Sequence, residues 1–171
     1  TLLASSAASD VYKRQMVVET PDEADVVLLF LNTVFNGNQP AGTDRTLDQM
    51  MASRFPDTNL AFSEEILAKA ASYSDVSQLV TLVDLNRPAV LTELNGMSDA
   101  LVGTFGVSDE AMLDVVFGKH NPVGKLPFEL PSSMAEVEAQ LEDVPDDTAN
   151  PLFPYCLLYT SPSPRDTDKS R

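Results

Sequence analysis

Two uninterrupted apolar runs limit the folds open to this chain. Asp25-Val-Val-Leu-Leu-Phe-Leu31 and Leu79-Val-Thr-Leu-Val-Asp-Leu85 have the length of strands but do not alternate apolar with polar. A strand covered on one face alternates; a strand covered on both does not, because both sets of its side chains meet apolar neighbours. The two runs therefore predict interior strands of a parallel sheet. A third run, Ala100-Leu-Val-Gly-Thr-Phe105, is shorter and ends at Gly106. Leu126-Pro-Phe-Glu-Leu130 alternates around a proline, which has no N–H to give to a ladder, so it is predicted as an edge or terminal strand.

Helical segments fall between these runs. Ser63 is placed to cap a helix with Glu64 and Glu65 in its first turn and Ile66, Leu67 and Ala70 on one face, running to about Ser72. Ser108 caps a second, with Asp109 and Glu110 at its positive end, an inward stripe of Ala111, Met112, Val115 and Val116, and Gly118 as its stop. A third spans Ser133 to about Leu141, and a short one is predicted near Val90–Leu94. Strand and helix in alternation give a three-layer α/β sandwich with a mostly parallel sheet, as one domain.

Composition removes several function classes. The chain carries 11 Lys and Arg against 26 Asp and Glu, a net charge of −15, whereas binding a phosphate backbone needs clustered positive charge. Nucleic acid is therefore not an expected partner. No apolar run approaches the roughly 18–20 residues that a membrane helix needs, so no membrane partner is expected either. A single cysteine, Cys156, cannot form an internal disulfide or a cysteine-based metal site. The single histidine, His120, sits in a polar turn where a structural role is simpler than a zinc or nucleophile–histidine constellation. No metal or organic cofactor is implied.

The two ends read differently from the middle. Ser5-Ser-Ala-Ala-Ser-Asp-Val-Tyr-Lys-Arg-Gln15 and Cys156-Leu-Leu-Tyr-Thr-Ser-Pro-Ser-Pro-Arg-Asp166 both back-translate, without a mismatch, into what resembles transposon-based sequencing adaptors read in frame. Residues 1–15 and 156–171 are accordingly expected to be artefactual, disordered tails, and the domain to occupy residues 16–155. Setting them aside makes the remainder more acidic still. The tails hold five basic residues (Lys13, Arg14, Arg165, Lys169 and Arg171) and only three acidic ones (Asp10, Asp166 and Asp168).

Between the first strand and the first helix lies an exception to the short connections elsewhere. Thr33 to Ala61 contains Asn36, Asn38, Gln39, Asp44, Arg45, Asp48 and Arg54. Long loops are uncommon and often functional, and in parallel sheets ligands bind beyond the strands' carboxyl ends. Chemistry is expected here; the competing expectation is a disordered spacer.

The second half of the chain carries a family likeness. Phe117-Gly-Lys-His-Asn-Pro-Val-Gly-Lys-Leu-Pro-Phe-Glu-Leu-Pro131 is similar to the pattern of glycoside hydrolase family 3, in which a helix end leads to Asn-Pro and then Gly-Lys-Leu-Pro. Asn86-Arg-Pro-Ala-Val90, Asp99-Ala-Leu-Val-Gly-Thr-Phe-Gly106 and Pro151-Leu-Phe-Pro-Tyr155 resemble other segments of that family's C-terminal α/β-sandwich domain. Gly118 and Gly124 are expected to make turns of positive φ between helix and strand.

The resemblance implies a retaining, exo-acting β-glucosidase or β-xylosidase. Its nucleophilic Asp would lie on a preceding barrel domain missing from this chain, and a carbohydrate would be the substrate. It also implies that the sandwich domain of many members supplies an acid/base Glu from Gly-Glu-Gly-x-Asp-Arg. The matching stretch here is Pro40-Ala-Gly-Thr-Asp-Arg45, which puts Ala41 at the position of that Glu. Asp44 is the matched carboxylate and the candidate catalytic residue; Asn36, Asn38, Gln39 and Arg45 are the candidate substrate-binding groups. The departure at Ala41 leaves open a non-catalytic carbohydrate-binding or structural module.

Overall fold

The computed structural model describes residues 2–5, 16–33 and 59–157. Its centre is three parallel strands, β3 (Val26–Asn32), β4 (Gln78–Asp84) and β5 (Ala100–Thr104). They pair in the order β3-β4-β5, with Asn32 opposite Asp84 and Asp84 opposite Thr104. These are the three strands expected from the apolar runs, each within a residue or so of its predicted bounds.

Two further strands extend the sheet past β3. β1 (Leu2–Ser5) pairs antiparallel with β3, and β2 (Met16–Val17) pairs antiparallel with β1. Leu2–Ser5 belongs to the end segment set apart on sequence grounds, yet its backbone occupies a place in the sheet. An uncovered β3 would present a row of unpaired N–H and C=O groups, and an adjoining strand satisfies them.

The helices lie on both faces. α1 (Glu64–Ser74) packs on β4 and on α2 (Thr92–Met97). Their face of the sheet is the larger core, with Val27, Leu29, Leu79 and Val83 from the strands and Ala70, Leu91 and Leu94 from the helical side. α3 (Asp109–Val116) covers the opposite face, where Met112 meets Leu28 and Leu82. Leu28 and Leu82 point one way and Val27, Leu29 and Val83 the other, so alternation along each strand feeds two cores. Helix, sheet and helix make the three-layer α/β sandwich that the sequence predicts.

Both expected serine caps form, and Ser133 makes a third. Ser63, Ser108 and Ser133 accept the amides of Ile66, Ala111 and Glu136 at 3.4, 3.3 and 3.3 Å. Each satisfies one N–H that a helix start leaves without a partner.

Three boundaries shift, each for a visible reason. α2 begins at Thr92, not Val90, because Val90 is held in a parallel bridge to Ala61, its amide on the Leu60 carbonyl at 3.0 Å. α4 (Met134–Ala139) ends before Leu141, since the Leu141 amide donates instead to the Asp147 carboxylate at 2.8 Å. The strand predicted over Leu126–Leu130 joins a ladder only as β6 (Leu130–Pro131), antiparallel to β7 (Pro151–Phe153) with a shift of register between Leu130 and Pro131. Pro127 and the bends beside it keep the earlier residues out of the ladder.

Gly118 has a φ of 73°, as expected for a helix stop, but Gly124 does not take positive φ; the second such glycine is Gly106, at 71°. Gly124 lies in a stretch without a turn between Pro122 and Pro127, so nothing there requires a reversal.

The buried hydroxyl at the centre of the sheet is paired. The hydroxyl of Thr81, fully buried, lies 2.6 Å from that of Ser98, and Ser98 donates to the Leu94 carbonyl at 2.7 Å. A hydroxyl has one proton, so Thr81 is the donor of the first bond.

Candidate functional site

The polar residues Asn32, Asp84 and Thr104 end the three parallel strands, and the register sets them side by side at the sheet's carboxyl edge. With Asp109, from the first turn of α3, they line a cleft of about 400 Å³. Phe30, Leu82 and Met112 supply its apolar floor and Val107 part of its rim. A few polar groups converging over an apolar floor in this size range are what small-ligand sites have in common. The site is at the strand ends because side chains past the last ladder pair no longer have a neighbouring strand to pack on.

Asp84 is the brace of this edge. One carboxylate oxygen accepts the Gly106 amide at 2.8 Å and the Thr104 hydroxyl at 3.2 Å; the other accepts the Asn86 side-chain amide at 3.2 Å. Its backbone carbonyl takes both the amide and the hydroxyl of Thr33, each at 3.1 Å. Asp84 thus ties the end of β4 to the turns leaving β3 and β5. Asn32 and Asp109 are exposed at the cleft, so theirs are the polar side chains most open to a ligand.

The segment leaving Thr33 and returning at Asn59 opens from the same edge. Asp44, Asn36, Asn38, Gln39 and Arg45 lie outside the described residues. Asn32, Asp84 and Asp109 were not among the candidates from sequence. A signal for Asp84 was present, a lone carboxylate closing a run of apolar strand residues, and becomes legible only once the register sets it between Asn32 and Thr104.

His120 is exposed in the turn after α3, where its amide donates to the Asp114 carbonyl at 3.2 Å. The neighbouring Lys119 pairs with the Asp114 carboxylate at 2.8 Å.

The model of the glycosyl hydrolase family 3 C-terminal domain matches residues 5–160. The chain belongs to glycoside hydrolase family 3. The motif that first suggested this, Gly118 through Pro131, is the connection running from the end of α3 round to β6. It carries the chain from one face of the sheet to the other, which explains its prolines and its left-handed glycine. The family match also runs into both of the end segments that resemble adaptors.

Curated relatives agree. The chain is 40% identical over 156 residues to the probable beta-glucosidase C of Aspergillus flavus, covering 90% of this chain and 23% of that protein. It is 42% identical over 140 residues to beta-glucosidase C of Emericella nidulans, covering 81% of this chain and 21% of that one. To the periplasmic beta-glucosidase/beta-xylosidase of Dickeya chrysanthemi it is 38% identical over 156 residues, 90% of this chain and 22% of the relative. The family 3 domain described here therefore spans less than a quarter of the length of these relatives.

Proposed function

We propose that this chain is part of a retaining, exo-acting glycoside hydrolase of the β-glucosidase or β-xylosidase type, and that it forms one wall of the sugar pocket. The observation that carries this is the roughly two-fifths identity to proteins named beta-glucosidase along nearly the whole chain. The cleft at the carboxyl edge gives the sugar a place to lie. The nucleophilic Asp belongs to a barrel domain elsewhere in the parent protein. Residues 1–15 and 156–171 are foreign to it.

In retaining hydrolysis one carboxylate attacks the anomeric carbon while a carboxylic acid, about 5–5.5 Å away, protonates the leaving oxygen. Within the segment after β3, Asp44 is the carboxylate proposed for proton transfer. Asn36, Asn38, Gln39 and Arg45 are proposed to hydrogen-bond the sugar hydroxyls. Without the nucleophile the first step has no attacking group, so the 171-residue chain alone is expected to release no product from an aryl β-glucoside. Measurable turnover by the purified chain refutes this arrangement.

A second reading, a carbohydrate-binding module without catalysis, draws support from Ala41 at the position where many relatives carry their acid/base Glu. Completing the parent gene and assaying its product on aryl β-glucosides and β-xylosides decides between the two. Retaining turnover that falls at least a hundredfold in Asp44→Asn supports the enzyme with Asp44 as its acid. Sugar binding without turnover supports the module.

A further inference from the structure

We infer that Asn32 and Asp109 are the side chains by which the cleft at the carboxyl edge reads its sugar, Asp109 by accepting hydroxyl protons and Asn32 by bonding the ring from the opposite side. This deepens the reading of the cleft as a sugar site and rests on it.

Four polar residues line the cleft, and the fold itself engages two of them. Both carboxylate oxygens of Asp84 accept bonds from within the domain, one from Gly106 and Thr104 and the other from Asn86. The Thr104 hydroxyl is turned to Asp84, on a residue that is nearly buried. Asn32 and Asp109 differ. Each is exposed, and neither side chain has a hydrogen-bond partner among the described residues.

Their placing suits one ring. Asn32 ends β3 and Thr104 ends β5, with Asp84 between them in register. Two strand spacings, about 9.5 Å, therefore separate Asn32 from the strand end where the chain turns towards Asp109. That gap admits a single pyranose with a hydrogen bond at each side. Phe30, Leu82 and Met112 form an apolar floor for the C–H face of such a ring.

The chemistry of the two groups narrows the ligand. An ionised carboxylate only accepts, so Asp109 calls for hydroxyl donors, and two adjacent sugar hydroxyls can both give to it. A carboxamide donates and accepts, so Asn32 takes a hydroxyl in either sense. No lysine or arginine is among the described residues lining the cleft, whereas Asp84 and Asp109 both are. A ligand with its own negative charge, a uronic acid or a sugar phosphate, is repelled by both carboxylates. The cleft is built for a neutral sugar.

The test compares Asp109→Ala, Asp109→Asn, Asn32→Ala and Glu110→Gln. Glu110 follows Asp109 in the first turn of α3 but does not line the cleft, so its variant removes a charge from the same helix end and leaves the site intact. In the 171-residue chain, methyl β-glucoside should shift the backbone amides of Asn32, Val107 and Asp109, and methyl β-glucuronide should not. In the completed parent enzyme, KM for an aryl β-glucoside should rise about tenfold in Asp109→Ala and about threefold in Asn32→Ala. The change in kcat should stay below about threefold, as for groups that hold ground state and transition state alike. Asp109→Asn should fall between wild type and alanine, and Glu110→Gln should match wild type. An equal rise in Glu110→Gln assigns the effect to the helix end and overturns the inference, as does an unchanged KM in either alanine variant. Absent amide shifts, or an equal response to the glucuronide, overturn it too. If the parent hydrolyses no glycoside, the proposed function falls, and the amide shifts still judge the cleft. If it turns over glucosides while both alanine variants keep their KM, the function stands and this assignment falls.

Discussion

The Asp84 carboxylate receives the Gly106 amide at 2.8 Å, joining the last residue of β4 to the turn that launches α3. One wall of the cleft therefore depends on a bond from a strand end to a glycine 22 residues further along. Gly106, with its φ of 71°, points its amide back to the sheet, and the turn then delivers Val107 and Asp109 to the rim. Replacing Asp84 by alanine removes the acceptor of the Gly106 amide and leaves the Thr104 hydroxyl, on a residue that is 7% exposed, only the Val83 carbonyl at 3.5 Å. Hydrogen bonds to charged groups contribute about 1.5–3 kcal/mol each way they are lost, so Asp84→Ala should cost roughly 2–3 kcal/mol. Asp84→Asn, which keeps one carbonyl acceptor, should cost about half as much. Urea unfolding of the two variants measures the difference; equal losses would mean the carboxylate is not the acceptor that matters.

Gly118 and Gly124 share a motif but not a conformation, which makes them a matched pair. A Cβ at either meets nothing within 4 Å, so only backbone preference separates them. At Gly118, with φ 73°, an alanine takes on the left-handed penalty of about 1–2 kcal/mol. At Gly124 the same change should be neutral or slightly stabilising, since it narrows the unfolded chain by up to about 1 kcal/mol. Thermal midpoints of Gly118→Ala and Gly124→Ala should move in opposite directions. A fall of equal size in both would contradict the absence of positive φ at Gly124.

Charge makes a third expectation. With 26 acidic residues against 11 basic ones, the folded chain repels itself. Raising NaCl from about 0.01 M to 1 M shortens the screening length from about 30 Å to 3 Å. The urea midpoint should therefore rise with salt, and the slope of the transition should stay the same. A falling midpoint would mean that attractive pairs such as Asp114–Lys119 outweigh the repulsion.

Much of the fold was legible because its strands sit in the middle of a parallel sheet. Val26–Asn32 and Gln78–Asp84 are apolar on both faces, and such runs bound by turn residues leave few alternatives. The caps at Ser63 and Ser108 were equally plain, because each serine directly precedes two acidic residues and an apolar stripe. What could not be read were features fixed by partners distant in sequence. The late start of α2 depends on Leu60 meeting Val90, and the early end of α4 on Leu141 meeting Asp147. Asp84 looked like an interruption in a strand until pairing placed it at the edge beside Asn32. The family motif pointed correctly to the connection after α3, but a motif states which residues recur, and only the backbone distinguishes Gly118 from Gly124.

The last expectation concerns Glu129, whose carboxylate is buried in a chain already crowded with negative charge. It is 8% exposed, yet it is not an unpaired ion: one oxygen accepts the Thr148 amide at 2.7 Å and the Gln140 side-chain amide at 3.4 Å. The same Gln140 group donates to the Thr148 hydroxyl at 2.6 Å, so three residues close a small network over β6. Asp146 completes it by accepting the Glu129 amide at 3.3 Å from a backbone with φ 55°, a conformation that Asp tolerates better than most residues. Through this network residues 140–148 are held against Leu130, itself part of the larger core. Glu129→Leu preserves bulk but leaves a buried amide without an acceptor, which should cost about 2–3 kcal/mol. Glu129→Gln keeps a carbonyl for Thr148 and loses only the charge assistance, so about 1 kcal/mol is expected. Because leucine is the more apolar replacement, a hydrophobic account of this site predicts the reverse order, and urea titration of the pair separates the two accounts.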